Sequence, residues 1–172
     1  MWINFILSQA GWFAGVLSAA RGMPWLGALA MVAVLVIHLA RAPLWRREAA
    51  LLLIAMVVGF VWETLLVQTG VLSYLPQAPW PQAVAPYWIV LLWALFATLL
   101  NVTMRWLHGR LLLAALLGAV GGPLSFWAGV RMGAVTLTSP FWSTLVLACG
   151  WALLTPLLVA SAQRLDGFAA AN

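Results

Sequence analysis

The sequence predicts an all-α polytopic membrane protein, a bundle of six transmembrane helices with both termini in the cytoplasm. Three observations carry this expectation. Of the 172 residues, 66% are hydrophobic and 6% are charged, at a mean hydropathy of +1.07, whereas soluble domains carry about 25% charged residues. Six apolar segments are near the roughly 20 residues needed to cross about 30 Å of hydrocarbon. The basic residues fall unequally on the two sides that those segments define. So few charges neither solvate a water-facing surface nor build a nucleic-acid footprint, which excludes a soluble enzyme and a nucleic-acid partner.

The segments run approximately over 2–20, 24–40, 49–68, 86–104, 111–132 and 140–163, within a single domain spanning 1–172. The first has no basic residue ahead of Trp2, so it reads as a retained helix rather than a cleaved signal. Arg21-Gly22-Met23-Pro24 separates it from the second, and Pro24, Pro86 and Pro140 each stand near a helix start, where a missing N–H costs nothing. The run from Arg41 to Glu48, with Pro43, precedes the third segment, and Arg105 to Arg110 precedes the fifth. Between the third and fourth, the stretch from Gly70 to Ala85 is rich in Pro and carries no charge. It is expected either to cap the bundle at headgroup level or to dip back between helices.

All eight basic residues are Arg. Arg41, Arg46, Arg47, Arg105, Arg110 and Arg164 lie on one side, and only Arg21 and Arg131 on the other, so the first side is assigned to the cytoplasm.

Small residues one helical turn apart, Gly11 with Gly15, Gly118 with Gly122 and Gly129 with Gly133, let backbones approach closely, so the first and fifth helices are expected to be interior. Gly121-Gly122-Pro123 falls near mid-bilayer and predicts a kink or interruption of the fifth helix. Such a break either builds a midplane binding site or serves packing alone. Of the twelve Trp, Trp2, Trp25, Trp45, Trp80, Trp88, Trp106 and Trp142 fall at helix ends as an aromatic belt. Trp12, Trp62, Trp93, Trp127 and Trp151 lie deeper, where they either pack helices and touch lipid or line a ligand cavity.

Glu63 is the only acid expected within a span, in its external half. Ionisable residues at that depth need a partner and are functional candidates. Arg131 and Arg21 are the only cations on that side, so the three are expected to converge. The excess cation suits an anionic headgroup or carboxylate. Trp62 and Trp127 would follow the ligand's tail, with Ser125, Thr64, Gln9, Gln68 and Asn4 as further hydrogen-bonding groups. A structural ion pair locking the third helix to the fifth, and a proton relay through Glu63, are the other readings. His38 and His108 fall toward the cytoplasmic end, where bis-His haem ligation is geometrically feasible but interfacial polar residues are commoner. Asn101, with Thr98 a turn earlier, reads as an interhelical hydrogen bond. The lone Cys149 forms no internal disulfide or thiolate cage, and no cofactor or metal is expected. Hydrolase, phosphate-loop and zinc-protease motifs are absent, and Asp166 is the sole Asp, so no catalytic residue is assigned and enzyme is the minority reading.

The set Asn4, Gln9-Ala10-Gly11-Trp12-Phe13, Met23-Pro24-Trp25-Leu26-Gly27, Trp62-Glu63, Gly70, Trp93 to Ala97, Leu100-Asn101 and Gly121 to Ser125 with Gly129 resembles an uncharacterised family of small, Trp-rich bacterial inner-membrane proteins, known as a domain of unknown function. The resemblance covers nearly the whole chain and implies a multi-pass protein of the bacterial inner membrane with a lipid-related role. A weaker architectural similarity is to substrate-binding components of vitamin uptake transporters and to small rod-shape membrane proteins. The functional expectation is therefore a protein that binds or helps to move an amphiphilic, anionic lipid or fatty acid in an externally opening cavity. The alternatives are a scaffold subunit, partnered by another membrane protein or by a second copy, a substrate-binding transporter component, and a lipid-modifying enzyme.

Overall fold

The computed structural model describes residues 2–76 and 80–169. Among them lie six helices, α1 (Trp2–Ala20), α2 (Pro24–Arg41), α3 (Trp45–Gln68), α4 (Tyr87–Leu100), α5 (Leu111–Met132) and α6 (Pro140–Arg164). Two short strands, β1 (Leu72–Tyr74) and β2 (Val135–Leu137), and a 3-10 turn over Arg105–Leu107 complete the described elements. Five helices are long and apolar enough to cross a membrane, which fits a multi-pass membrane protein. The 14 residues of α4 rise only about 21 Å.

Two boundaries differ from the sequence expectation. α3 begins a turn early, at Trp45, so Glu48 joins its first turn and is fully buried instead of lying in a loop. α4 stops at Leu100 rather than near 104. There the Asn101 amide turns aside to donate to Glu48 Oε1 (2.6 Å) and to the Leu165 carbonyl (3.3 Å). A polar side chain with such partners competes with continuation of the helix.

The interior helix is α4, not α1 or α5. Nine of its 14 residues are buried, and it touches α1, α2, α3 and α6. By contrast, α1 exposes Trp2, Ile3, Ile6 and Phe13, and α5 exposes Leu112, Leu116, Val120 and Leu124. The glycines of α1 and α5 each serve one face, which is why their spacing misleads. Gly11 packs on Leu95, Gly15 meets Met31 and Leu92, and Gly27 lies against the α1 backbone at Ala14 and Gly15. A Cβ at Gly118 would collide with Thr155, and one at Gly122 with Trp151. Close approach thus makes the pairs α1–α2 and α5–α6.

Two further expectations are corrected in α5. The interruption expected at Gly121-Gly122-Pro123 is absent: α5 continues through it, seated on α6 at Gly118 and Gly122 before the buried Pro123 and bonded to α6 from Trp127 after. Gly133 packs against nothing; with φ of +83° it ends the helix in a left-handed cap.

β1 and β2 pair antiparallel, Leu72 with Leu137, Ser73 with Thr136 and Tyr74 with Val135. They tie the α3–α4 connection to the α5–α6 connection at one end of the bundle. Leu72, Val135 and Leu137 turn inward with Leu66, Phe126 and Leu147, while Ser73 and Thr136 are exposed. The uncharged connection therefore starts as a strand. Farther on, Trp80 Nε1 donates to the Ala85 carbonyl (3.0 Å), and the Ala85 N–H donates to Thr64 Oγ1 (3.1 Å). Residues 77–79 of it lie outside the described residues.

Candidate functional site

Gly59 and Glu63 stand one turn apart on the same face of α3. Gly59 lets the Trp93 ring of α4 lie directly on the α3 backbone, where any Cβ would collide with it. That approach brings Trp93 Nε1 to Glu63 Oε1, to which it donates at 3.0 Å. The strand β1 supplies the second donor, the Tyr74 hydroxyl, at 2.6 Å from Oε2. Burial, and after it the Glu63 carboxyl, raise the Tyr74 phenol well above its ordinary range, so it keeps its proton and remains a donor. Glu63 itself is 0% exposed.

The expected cluster with Arg131 and Arg21 does not form. Among the described residues Arg105 pairs with Asp166, Glu48 is hydrogen-bonded to His38, and both Arg131 and Arg21 are exposed. Arg131 lies in the last turn of α5 and Arg21 just past the end of α1. At those ends a guanidinium stays solvated at less cost than it would incur on entering the interior to meet a carboxylate.

Glu63 borders a cavity of about 230 Å³ enclosed by Trp12 of α1, Ile89 to Phe96 of α4, Leu117 to Phe126 of α5, and Trp151 and Thr155 of α6. Nine helical steps from Leu117 to Phe126 rise about 13 Å, so its wall along α5 is long. A third of the lining residues are aromatic: Trp12, Trp93, Phe96, Phe126 and Trp151. Trp93 and Trp151 stack with centroids 4.6 Å apart, and Phe96 meets Trp151 edge-on at 5.5 Å. Trp151 Nε1 and Thr155 Oγ1, both buried, have no hydrogen-bond partner among the described residues. A second crevice of about 380 Å³ adjoins it, sharing Trp12, Leu92, Phe96 and Ser125 as walls and adding Ser8, Gln9 and Leu124. This crevice lies at mid-length of α1 and α5, between the helices rather than at the end of the bundle where the opening was expected.

Of the expected binding residues, Glu63 and Ser125 meet at the cavity together with Gly118, Gly121 and Gly122. Trp62 and Trp127 do not line it. The Trp62 ring fills the space over Gly150, and Trp127 Nε1 donates to Thr144 Oγ1 (3.0 Å) on α6.

A second polar cluster occupies the other end. Glu48 accepts from Asn101 Nδ2 (2.6 Å), from the Gly167 N–H (2.8 Å) and from His38 Nε2 (2.9 Å). With Nε2 so engaged, the network assigns His38 Nδ1 as acceptor of the Asn4 amide (3.4 Å), which also reaches the Thr98 carbonyl (3.1 Å), while Thr103 Oγ1 donates to Asn4 Oδ1 (2.8 Å). The space beside it, about 40 Å³, has room for little more than a water molecule. This cluster ties α1, α2, α3 and α4 to the C-terminal turn and reads as a clamp. His108 has a separate partner, the Leu100 carbonyl at 3.1 Å. Among the described residues no group of three His, Cys, Asp or Glu is placed to hold a metal.

A family model matches residues 1–157 of the sequence. The chain belongs to DUF2878, a family described as protein of unknown function. No curated protein and no solved structure matches it. In this DUF2878 member the matched span includes every residue bordering the cavity, the last being Thr155, and stops short of the turn at Gly167 that closes the Glu48 cluster.

Sequence reasoning missed Tyr74, Thr155 and the partnership of Glu48 with His38. The alternation Val71-Leu72-Ser73-Tyr74 after Gly70, matched by Val135-Thr136-Leu137-Thr138 after Gly133, was the signal for a strand pair that delivers Tyr74. Thr155 is one of six Thr and Ser residues in α6 and its N-terminal flank, and nothing local marks it.

Proposed function

We propose that this DUF2878 member is a six-span protein of the bacterial inner membrane, with both termini in the cytoplasm, that takes a single-chain amphiphile from the bilayer and holds or passes it on. The observation that supports this reading is the long aromatic cavity with one buried carboxyl on its wall and a crevice beside it at mid-depth. Pockets of this kind, apolar with a few convergent polar groups, are the usual form of small-molecule sites. An anionic head group loses its support, because neither Arg131 nor Arg21 pairs with Glu63 or borders the cavity.

Gly121 offers a clean test. It borders the cavity, yet a Cβ built there meets no atom within 4 Å. Leu at this position adds about 1 kcal/mol of helix propensity and takes up cavity space without displacing backbone. Native mass spectrometry and solvent extraction of the purified protein are expected to find a co-purifying amphiphile in the wild type. In Gly121→Leu that amphiphile is expected to be lost while the Tm is kept or raised. Equal amphiphile content in both proteins, or none in the wild type and no binding of added chains, refutes the reading.

A scaffold role is the second reading, favoured by the way Trp93 and Tyr74 join α3, α4 and β1 through Glu63. On that reading Gly121→Leu changes no bound molecule, while Glu63→Ala lowers the Tm.

A further inference from the structure

We propose that the cavity selects amphiphiles whose head group is an organic cation of the alkylammonium class, with Glu63 as counter-ion and Trp12, Phe96 and Trp151 as aromatic walls. The inference rests on the amphiphile reading above and names its ligand class.

Three features carry it. Glu63 is fully buried and accepts only from two neutral donors, the Trp93 indole and the Tyr74 hydroxyl, and no cation lies within ion-pairing distance of it among the described residues. A buried carboxylate without a positive partner is costly, and a ligand cation supplies that partner.

The walls point to the same chemistry. Aromatic rings attract alkylammonium groups, and aromatic cages recognise such cations. Trp93 is itself covered by Trp151 and the α3 backbone, so the half-buried Trp12, Phe96 and Trp151 are the rings open to a ligand. Five aromatic side chains border this cavity together with the acid. A carboxylate or sulfate head would meet like charge at Glu63, and a hydroxyl head gains a hydrogen bond but no charge attraction. The other two acids are engaged elsewhere, Asp166 with Arg105 and Glu48 with His38.

The test compares three probes of equal chain length, dodecyltrimethylammonium, dodecanol and dodecanoate, on the full chain in non-ionic detergent. Quenching of Trp fluorescence reads binding, and protein-free micelles correct for partitioning. The ammonium is expected to bind at least about tenfold more tightly than either other probe, equivalent to about 1.4 kcal/mol. Glu63→Gln is expected to bring the three to near parity while dodecanol binding stays within about twofold. Gly121→Leu is expected to weaken all three, which places the binding in this cavity. If dodecanol or dodecanoate binds wild type as tightly as the ammonium, the cation is refuted and amphiphile binding stands. If none of the three binds saturably, the amphiphile reading falls with it. The wild-type comparison decides the matter even if Glu63→Gln fails to fold.

Discussion

A single methyl group at position 59 tests how Glu63 is held. Gly59→Ala forces the Trp93 ring off α3 and with it the indole N–H off the carboxylate. A loss of about 1–3 kcal/mol is expected, as for overpacking in a tight core, read as a lower Tm in detergent together with a shifted Trp emission. Tyr74→Phe removes one of the two donors and is expected to cost about 1 kcal/mol, whereas Glu63→Ala leaves the Trp93 N–H without an acceptor and costs about 1–3 kcal/mol. An unchanged Tm in both variants shows that the carboxylate clamps nothing. Glu63 was legible in the sequence because an acid in an apolar run needs a partner, whether structural or functional. Its partners were not. Counting residues along a helix gives height in the bilayer but not the direction in which a side chain points, so Arg131 and Arg21 matched Glu63 in depth and still face outward.

At the scale of elements, the Glu48 carboxylate is the hub of the ties on the C-terminal turn, beside the Leu44 N–H that donates to the Gly167 carbonyl and the Asn101 amide that donates to the Leu165 carbonyl. Glu48→Ala leaves His38, the Asn101 amide and the Gly167 N–H short of an acceptor, and is expected to destabilise by about 3 kcal/mol or more. Gly167→Ala adds a Cβ that would collide with the Glu48 side chain, so it is expected to release the same turn. Limited proteolysis, with faster cleavage beyond Arg164 in both variants, checks this. By contrast Asp166→Asn loses an ion pair whose arginine is half exposed, worth under about 1 kcal/mol. Helix positions were legible to within about a turn, because Pro24, Pro140 and the charged breaks mark them. The centrality of α4 was also legible in principle, since Tyr87 to Leu100 is apolar on every face. Glycine spacing drew attention to α1 and α5 instead. Strands of three residues fall below the length at which alternation can be read with any force.

For the whole molecule, the distribution of Arg sets the expected orientation. Single cysteines introduced at Arg21 and Arg131, with Cys149 replaced by Ala, are expected to react with membrane-impermeant maleimide from outside intact cells, and those at Arg47 and Arg110 only after lysis. The reverse pattern overturns the placement of both termini in the cytoplasm. The architecture also has a consequence for how the chain is made. Trp12, Glu63 and the Ile89 to Phe96 wall precede Leu111, whereas Leu117 to Phe126, Trp151 and Thr155 come from the last hairpin. Synthesis delivers the N-terminal part first, so the acid and its indole leave the ribosome before the opposite side of the chamber. The chamber thus runs along a seam, with the four helices made first on one side and the last hairpin on the other.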